Sequence, residues 1–181
     1  MRRVLHNIPM KIIFLSVLAL ALFFSCNKKQ ENSELTIVKV DDSLLIKEKD
    51  ITKLQYTDYI LDERTENTIV TWVEYSQLQD AVNKVKKGDF SLFKNNDNEF
   101  QDLLKNLKQN IPLEVNTASI LARITVIETK IYKLESLSKL STTTKPELLE
   151  ITKEFLVAFS NLNLQLNKKL EADNIIIEKP Y

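Results

Sequence analysis

The chain has 181 residues, with 25 Lys and Arg balanced by 25 Asp and Glu, so it offers no basic footprint for nucleic acid. Its single glycine, Gly88, excludes a P-loop or a dinucleotide fingerprint, each of which needs several glycines for close backbone approach to phosphates, and argues against hairpin-rich β architectures. Beyond residue 26 there is no His, Met or Cys, which rules out Ser-His-Asp and Cys-His catalysis, haem ligation by those residues, soft-ligand copper and conventional zinc sites; no spacing among the carboxylates, Ser and Lys points to another catalytic centre.

The chain opens with the basic residues Arg2, Arg3 and Lys11 and then an apolar stretch of 13 residues, Ile12 to Phe24. A membrane-spanning helix needs about 20 such residues. A run this short, between basic residues and a small residue, reads as a secretory signal. Its end, Phe23-Phe24-Ser25-Cys26, resembles the lipobox of bacterial lipoprotein precursors. That family places an aliphatic residue three before the cysteine and a small one directly before it. Ser25 fits the small position, and Phe23 stands where Leu is usual.

The resemblance covers residues 1–26. It implies that Cys26 takes a thioether-linked diacylglyceryl group, that the leader is cut before it, and that the new amine is acylated, with palmitate as a typical chain. Several acyl chains on one residue exceed the two signals that stable anchoring needs. The competing reading, an ordinary signal peptide with a free thiol, leaves a reactive unpaired cysteine in an oxidising space. Loss of Arg2, Arg3 and Lys11 takes the 25 basic residues to 22 against 25 acidic ones, a net charge of −3. The polar run Asn27 to Ser33 reads as a tether. Asn27 rather than Asp beside the cysteine implies the outer membrane by the same resemblance, and Lys28-Lys29 in place of acidic residues implies its periplasmic face. In length and composition the whole chain resembles small lipoproteins of the Bacteroidota.

The expected organisation is a signal peptide over 1–25, a lipidated tether over 26–43, a helical bundle domain over 44–173 and a tail over 174–181. The runs "ELTIVKV", 34–40, and "NIIIEKPY", 174–181, are β-prone; they suit a small sheet, disordered arms or edges offered to a partner strand. Residues 44–61 suit an extended arm or a short helix lying on the bundle. From 63 to 87, Ile69, Trp72, Tyr75, Leu78, Val82 and Val85 recur at steps of three and four and predict one helix, with Gly88 as its left-handed C-terminal cap. Phe90 and Phe93 lie in a short linker and are expected to plug one end of the core.

Asn95 to Asn98 is a polar run suited to capping a second helix over 97–110, which Pro112 ends. A third helix is predicted over 117–139, with Asn116 as N-cap and a stripe of Ile120, Ile124, Ile127, Ile131, Leu134 and Leu137. Thr144-Lys145-Pro146-Glu147 matches a capping box and opens a fourth helix running to about Ala172. Four amphipathic helices with short connections predict an all-α, up-down four-helix bundle.

Candidate site residues are few. Trp72 and Tyr75 are either a binding surface or members of the core stripe, and helical spacing favours the core. Asn116 and Arg123, with Thr117, open the third helix and suit either an anion or plain capping with a surface ion pair. Glu128 and Glu135, and Glu147, Glu150 and Glu154, sit at helical spacing but lack the His that bundle metal sites use, and read as solvated faces. The sequence therefore predicts no cofactor and no metal. It predicts a non-enzymatic module, anchored to a bilayer through acylated Cys26, that binds or scaffolds an envelope protein. Carriage of a lipid or small apolar ligand in the bundle core is the alternative, and carboxylate-based hydrolysis is a more distant one.

Overall fold

The computed structural model describes residues 45–174, Asn96 excepted. The leader, Cys26, the tether, the run 34–40 and residues 175–181 lie outside the described residues, as do the side chains of 94–99 and with them the expected Asn95–Asn98 cap. Among the described residues every regular element is helical. These are α1 (Glu48–Ile51), α2 (Glu63–Ile69), α3 (Val73–Lys86), α4 (Ser91–Asn95), α5 (Asp97–Gln109), a 3-10 turn (Leu113–Val115), α6 (Ala118–Lys139) and α7 (Lys145–Asp173).

Helix α7 is the longest of these and touches most of the others. Its 29 residues span about 44 Å at 1.5 Å per residue. Its start is the expected capping box: the Glu147 N–H donates to Thr144 Oγ1 at 3.4 Å, and the Thr144 N–H donates to Glu147 Oε2 at 2.8 Å. Five residues separate it from α6, so the two lie as an antiparallel hairpin, with Lys130 reaching Glu154 at 3.0 Å. Ile120, Ile124, Ile127, Ile131 and Leu134 of α6 and Phe155, Leu162 and Leu166 of α7 are fully buried. Burying this stripe holds a helix whose β-branched residues give it only moderate propensity of its own. The N-cap of α6 is Thr117, whose Oγ1 accepts from the Ile120 N–H at 3.3 Å. Asn116, expected in that role, instead closes the preceding 3-10 turn.

Helices α3 and α5 form a second antiparallel pair, joined at one end by Asn110 Nδ2 donating to Glu74 Oε1 at 2.7 Å. The single helix expected over 63–87 is in fact two. Thr68-Ile69-Val70-Thr71 is four β-branched residues in a row, a poor helix sequence. The chain turns there, the Trp72 N–H donating to Ile69 O at 2.8 Å, and the corner drives Trp72 inward to 1% exposure. α2 then packs on α7 independently of α3.

Gly88 ends α3 with φ +81°, as expected. Its N–H donates to Val85 O at 2.8 Å and the Asp89 N–H to Lys84 O at 3.0 Å, the two bonds of a Schellman motif. The linker that follows is itself helical, as α4. It places Phe93 in a stack with Phe100 at 5.0 Å between ring centroids and edge-on to Phe155 at 6.1 Å. Phe90 and Phe93 are both buried and close that end of the core.

Candidate functional site

The most distinctive polar arrangement lies along α7. Most of the buried residues of this helix are apolar, yet Ser160, Asn163 and Asn167 stand in line at intervals of three and four, with Ser160 and Asn163 buried. They hold residues 57–62, which run extended over the helix after α1. Ser160 Oγ donates to Thr57 O at 2.7 Å and accepts from the Tyr59 N–H at 2.7 Å. Asn163 Nδ2 donates to Tyr59 O at 2.9 Å, and its Oδ1 accepts from the Tyr75 hydroxyl at 2.8 Å. Asn167 Nδ2 donates to Ile60 O at 2.8 Å, and its Oδ1 accepts from the Asp62 N–H at 3.1 Å.

Every bond from these three side chains to the arm goes to main chain. The extended segment has no strand to pair with among the described residues, and the helix side chains stand in for one. Ion pairs fasten the rest of the arm: Asp58 to Lys86 at 2.5 Å and Asp50 to Lys145 at 2.7 Å, while Lys145 Nζ also donates to Leu45 O at 3.1 Å. The Lys145 hydrogen bond holds the Asp50 carboxyl below its usual range. Burial, and then the charge of Asp58, pushes the Tyr56 hydroxyl up to about 12. Burial, with a smaller contribution from Glu66, raises the Tyr75 hydroxyl further, so it stays a hydrogen-bond donor to Asn163. The seam is built to grip a peptide backbone and presents no nucleophile beside a base.

Of the candidate residues, Trp72 and Tyr75 lie in the core at 1% and 3% exposure and offer no surface. Their rings are 5.7 Å apart, and Tyr75 stacks on Phe159 at 5.8 Å. Asn116 and Arg123 are exposed at the start of α6, apart from that aromatic cluster. Cys26 lies outside the described residues.

Four of the five carboxylates flagged by spacing are engaged locally, and Glu150 is exposed. Glu128 meets Lys108 at 2.5 Å, Glu135 meets Lys139 at 2.7 Å, and Glu154 meets Lys130 at 3.0 Å and Lys133 at 3.5 Å. The Lys130 hydrogen bond lowers the pKa of Glu154, and the Thr144 N–H lowers that of Glu147, the opposite of what a general acid requires. Among the described residues no three such side chains converge as a metal cluster.

The α3–α5 face holds an open cleft of about 380 Å³, with Ala81, Leu92, Phe100 and Leu103 among its lining and Asp80 and Lys84 at its edge. Among the described residues no helix is long and apolar enough to cross a membrane. The seam on α7 is not among the sequence-based expectations; its partial signal is short polar side chains at 160, 163 and 167 in line beside the helix's buried apolar residues. Comparison with protein-family models, with curated proteins and with solved structures returned no match.

Proposed function

We propose that this chain is a cell-envelope lipoprotein, held to a bilayer by acyl chains on Cys26, whose helical domain acts as a non-enzymatic binding or scaffold module for another envelope protein. The observation that carries the reading is Phe23-Phe24-Ser25-Cys26 at the end of a short apolar run behind basic residues. We read α3, α5, α6 and α7 as the four members of an up-down bundle. The short connections and the α3–α5 and α6–α7 pairs support that reading. Asn27 and Lys28-Lys29 favour the periplasmic face of the outer membrane.

Docking a protein suits this domain better than carrying a ligand in its core, because the facing Ile, Leu and Phe side chains are already packed against one another. The arm over residues 57–62 is fastened along α7, which suits a domain held by its N-terminal side. Membrane fractionation tests the anchor: wild-type chain should sediment with membranes and Cys26→Ser should be released while remaining folded. Cys26→Ser persisting in the membrane fraction would contradict the reading. Crosslinking of the tethered protein in intact cells should recover one reproducible envelope partner, and recovery of none counts against a scaffold.

A further inference from the structure

Among the described residues the four most exposed large apolar side chains are Leu113 at 88%, Ile60 at 78%, Val70 at 73% and Val73 at 59%. They come from three separate connections: the arm, the α2–α3 corner and the α5–α6 turn. All three lie toward one end of the helical assembly. Asn167, in the last two turns of α7, holds Ile60 O and the Asp62 N–H. Asn110 and Glu74 join the end of α5 to the start of α3, and the 3-10 turn that carries Leu113 packs on α7. The opposite end is where the described chain begins: Leu45 O accepts from Lys145 at the start of α7, and Gly88 approaches Ile46 O. The aliphatic end is therefore the one opposite the start of the described chain.

Scattered single apolar side chains on a surface need no explanation, but several gathered at one tip mark an interaction site. Charge narrows the occupant. Residues 60–74 and 110–117 carry five carboxylates, Asp62, Glu63, Glu66, Glu74 and Glu114, against one cation, Arg64. The nearby Lys168 and Lys169 are paired with Glu171 and Asp173. An aliphatic tip in an acidic setting repels an anionic bilayer and complements a surface of opposite sign. We propose that this end is the docking surface for a protein whose contact face is aliphatic and rimmed by Lys and Arg. The proposal rests on the partner-binding reading above and gives that reading a place on the molecule.

The test is site-specific photocrosslinking in intact cells, with the full chain carrying a photoreactive residue at Val70 or Leu113. Val126 and Tyr132, both exposed on the flank of α6, serve as comparison positions. The tip positions should form a protein adduct that the flank positions do not. The peptide captured should be aliphatic and net basic. Glu63→Lys with Glu66→Lys should reduce the adduct by roughly tenfold or more, because like charges brought together across an interface repel. Glu63→Gln with Glu66→Gln should reduce it less, and an unchanged melting temperature shows that each variant folds. Adducts to lipid, to a second copy or to an acidic peptide overturn the proposal, as does indifference to charge reversal. Equal protein adducts from tip and flank overturn the tip alone, and no protein adduct from any position overturns the partner-binding reading with it.

Discussion

Asn163→Ala tests the seam on α7 most sharply. Asn163 is 4% exposed and serves two groups at once, accepting from the Tyr75 hydroxyl at 2.8 Å and donating to Tyr59 O at 2.9 Å. Truncation leaves both without that partner. A buried polar group left unsatisfied costs about 1–3 kcal/mol. The Tyr75 hydroxyl, in a residue only 3% exposed, should incur that cost in full, whereas Tyr59 is 39% exposed and its carbonyl can turn to water more cheaply. The expected loss is about 2–4 kcal/mol, a large part of the roughly 5–15 kcal/mol typical of a domain. Urea unfolding with linear extrapolation measures it. The double-mutant cycle with Tyr75→Phe isolates the hydroxyl, and Asn163→Ala should cost about 1–2 kcal/mol less in the Phe background. A loss within experimental error, or a coupling of zero, would refute the idea that this pair is a buried, mutually dependent contact.

Three further outcomes follow from the same geometry. Gly88→Ala should destabilise by about 1–3 kcal/mol in the same urea assay, since a Cβ at φ +81° is strained and would lie 2.9 Å from Ile46 O; no loss would mean the α3 cap and the arm are not held so closely. Ile127→Ala, at a fully buried position, should cost about 2–5 kcal/mol. Val126→Ala beside it, 42% exposed, should stay within about 0.5 kcal/mol, and equal effects would contradict the assigned helix face. Thermal melts across pH should show two flanks. Asp50 is lowered by Lys145, Asp62 by the Thr65 N–H, Glu147 by the Thr144 N–H and Glu154 by Lys130, so each folded value lies below its ordinary 3.8 or 4.5. Their stabilisation is complete above those ordinary values and is lost as pH falls through the lower folded ones. Tyr75 and Tyr56 are raised above 10.0, so their contribution is complete below that pH and is lost as pH climbs beyond it; Tyr75→Phe should soften the alkaline flank, and an unchanged flank would contradict Tyr75 burial.

Much of the helical order was legible because it rests on local signals. The Thr144–Glu147 capping box, the Gly88 cap and the Ile stripe of α6 are each written in a few neighbouring residues, and each appears in place. Phe90 and Phe93 were legible as an apolar plug, though not as part of a helix of their own. The misreadings arose where two local preferences competed. The apolar spacing from Ile69 to Val85 continues through the α2–α3 corner, because Trp72 is buried whether or not the helix is continuous; the β-branched run Thr68–Thr71 was the contrary signal. Asn116 and Thr117 are adjacent good caps, and a difference of one residue is settled by the 3-10 turn before them. The seam was only half legible, for a different reason: its polar line shows in the sequence, but its partner does not. Ser160 and Asn163 meet partners about a hundred positions earlier in the chain, and nothing local to α7 announces an extended arm lying across it. Trp72 and Tyr75 drew attention as aromatics, but the clue that mattered was the Tyr75 hydroxyl needing a buried acceptor.

The account depends above all on what happens to Cys26. Cells expressing the full chain, fed isotopically labelled palmitate, should yield a mature polypeptide that begins at Cys26 and carries the label, with Cys26→Ser unlabelled. A mature chain without label, or label that persists in Cys26→Ser, would contradict it.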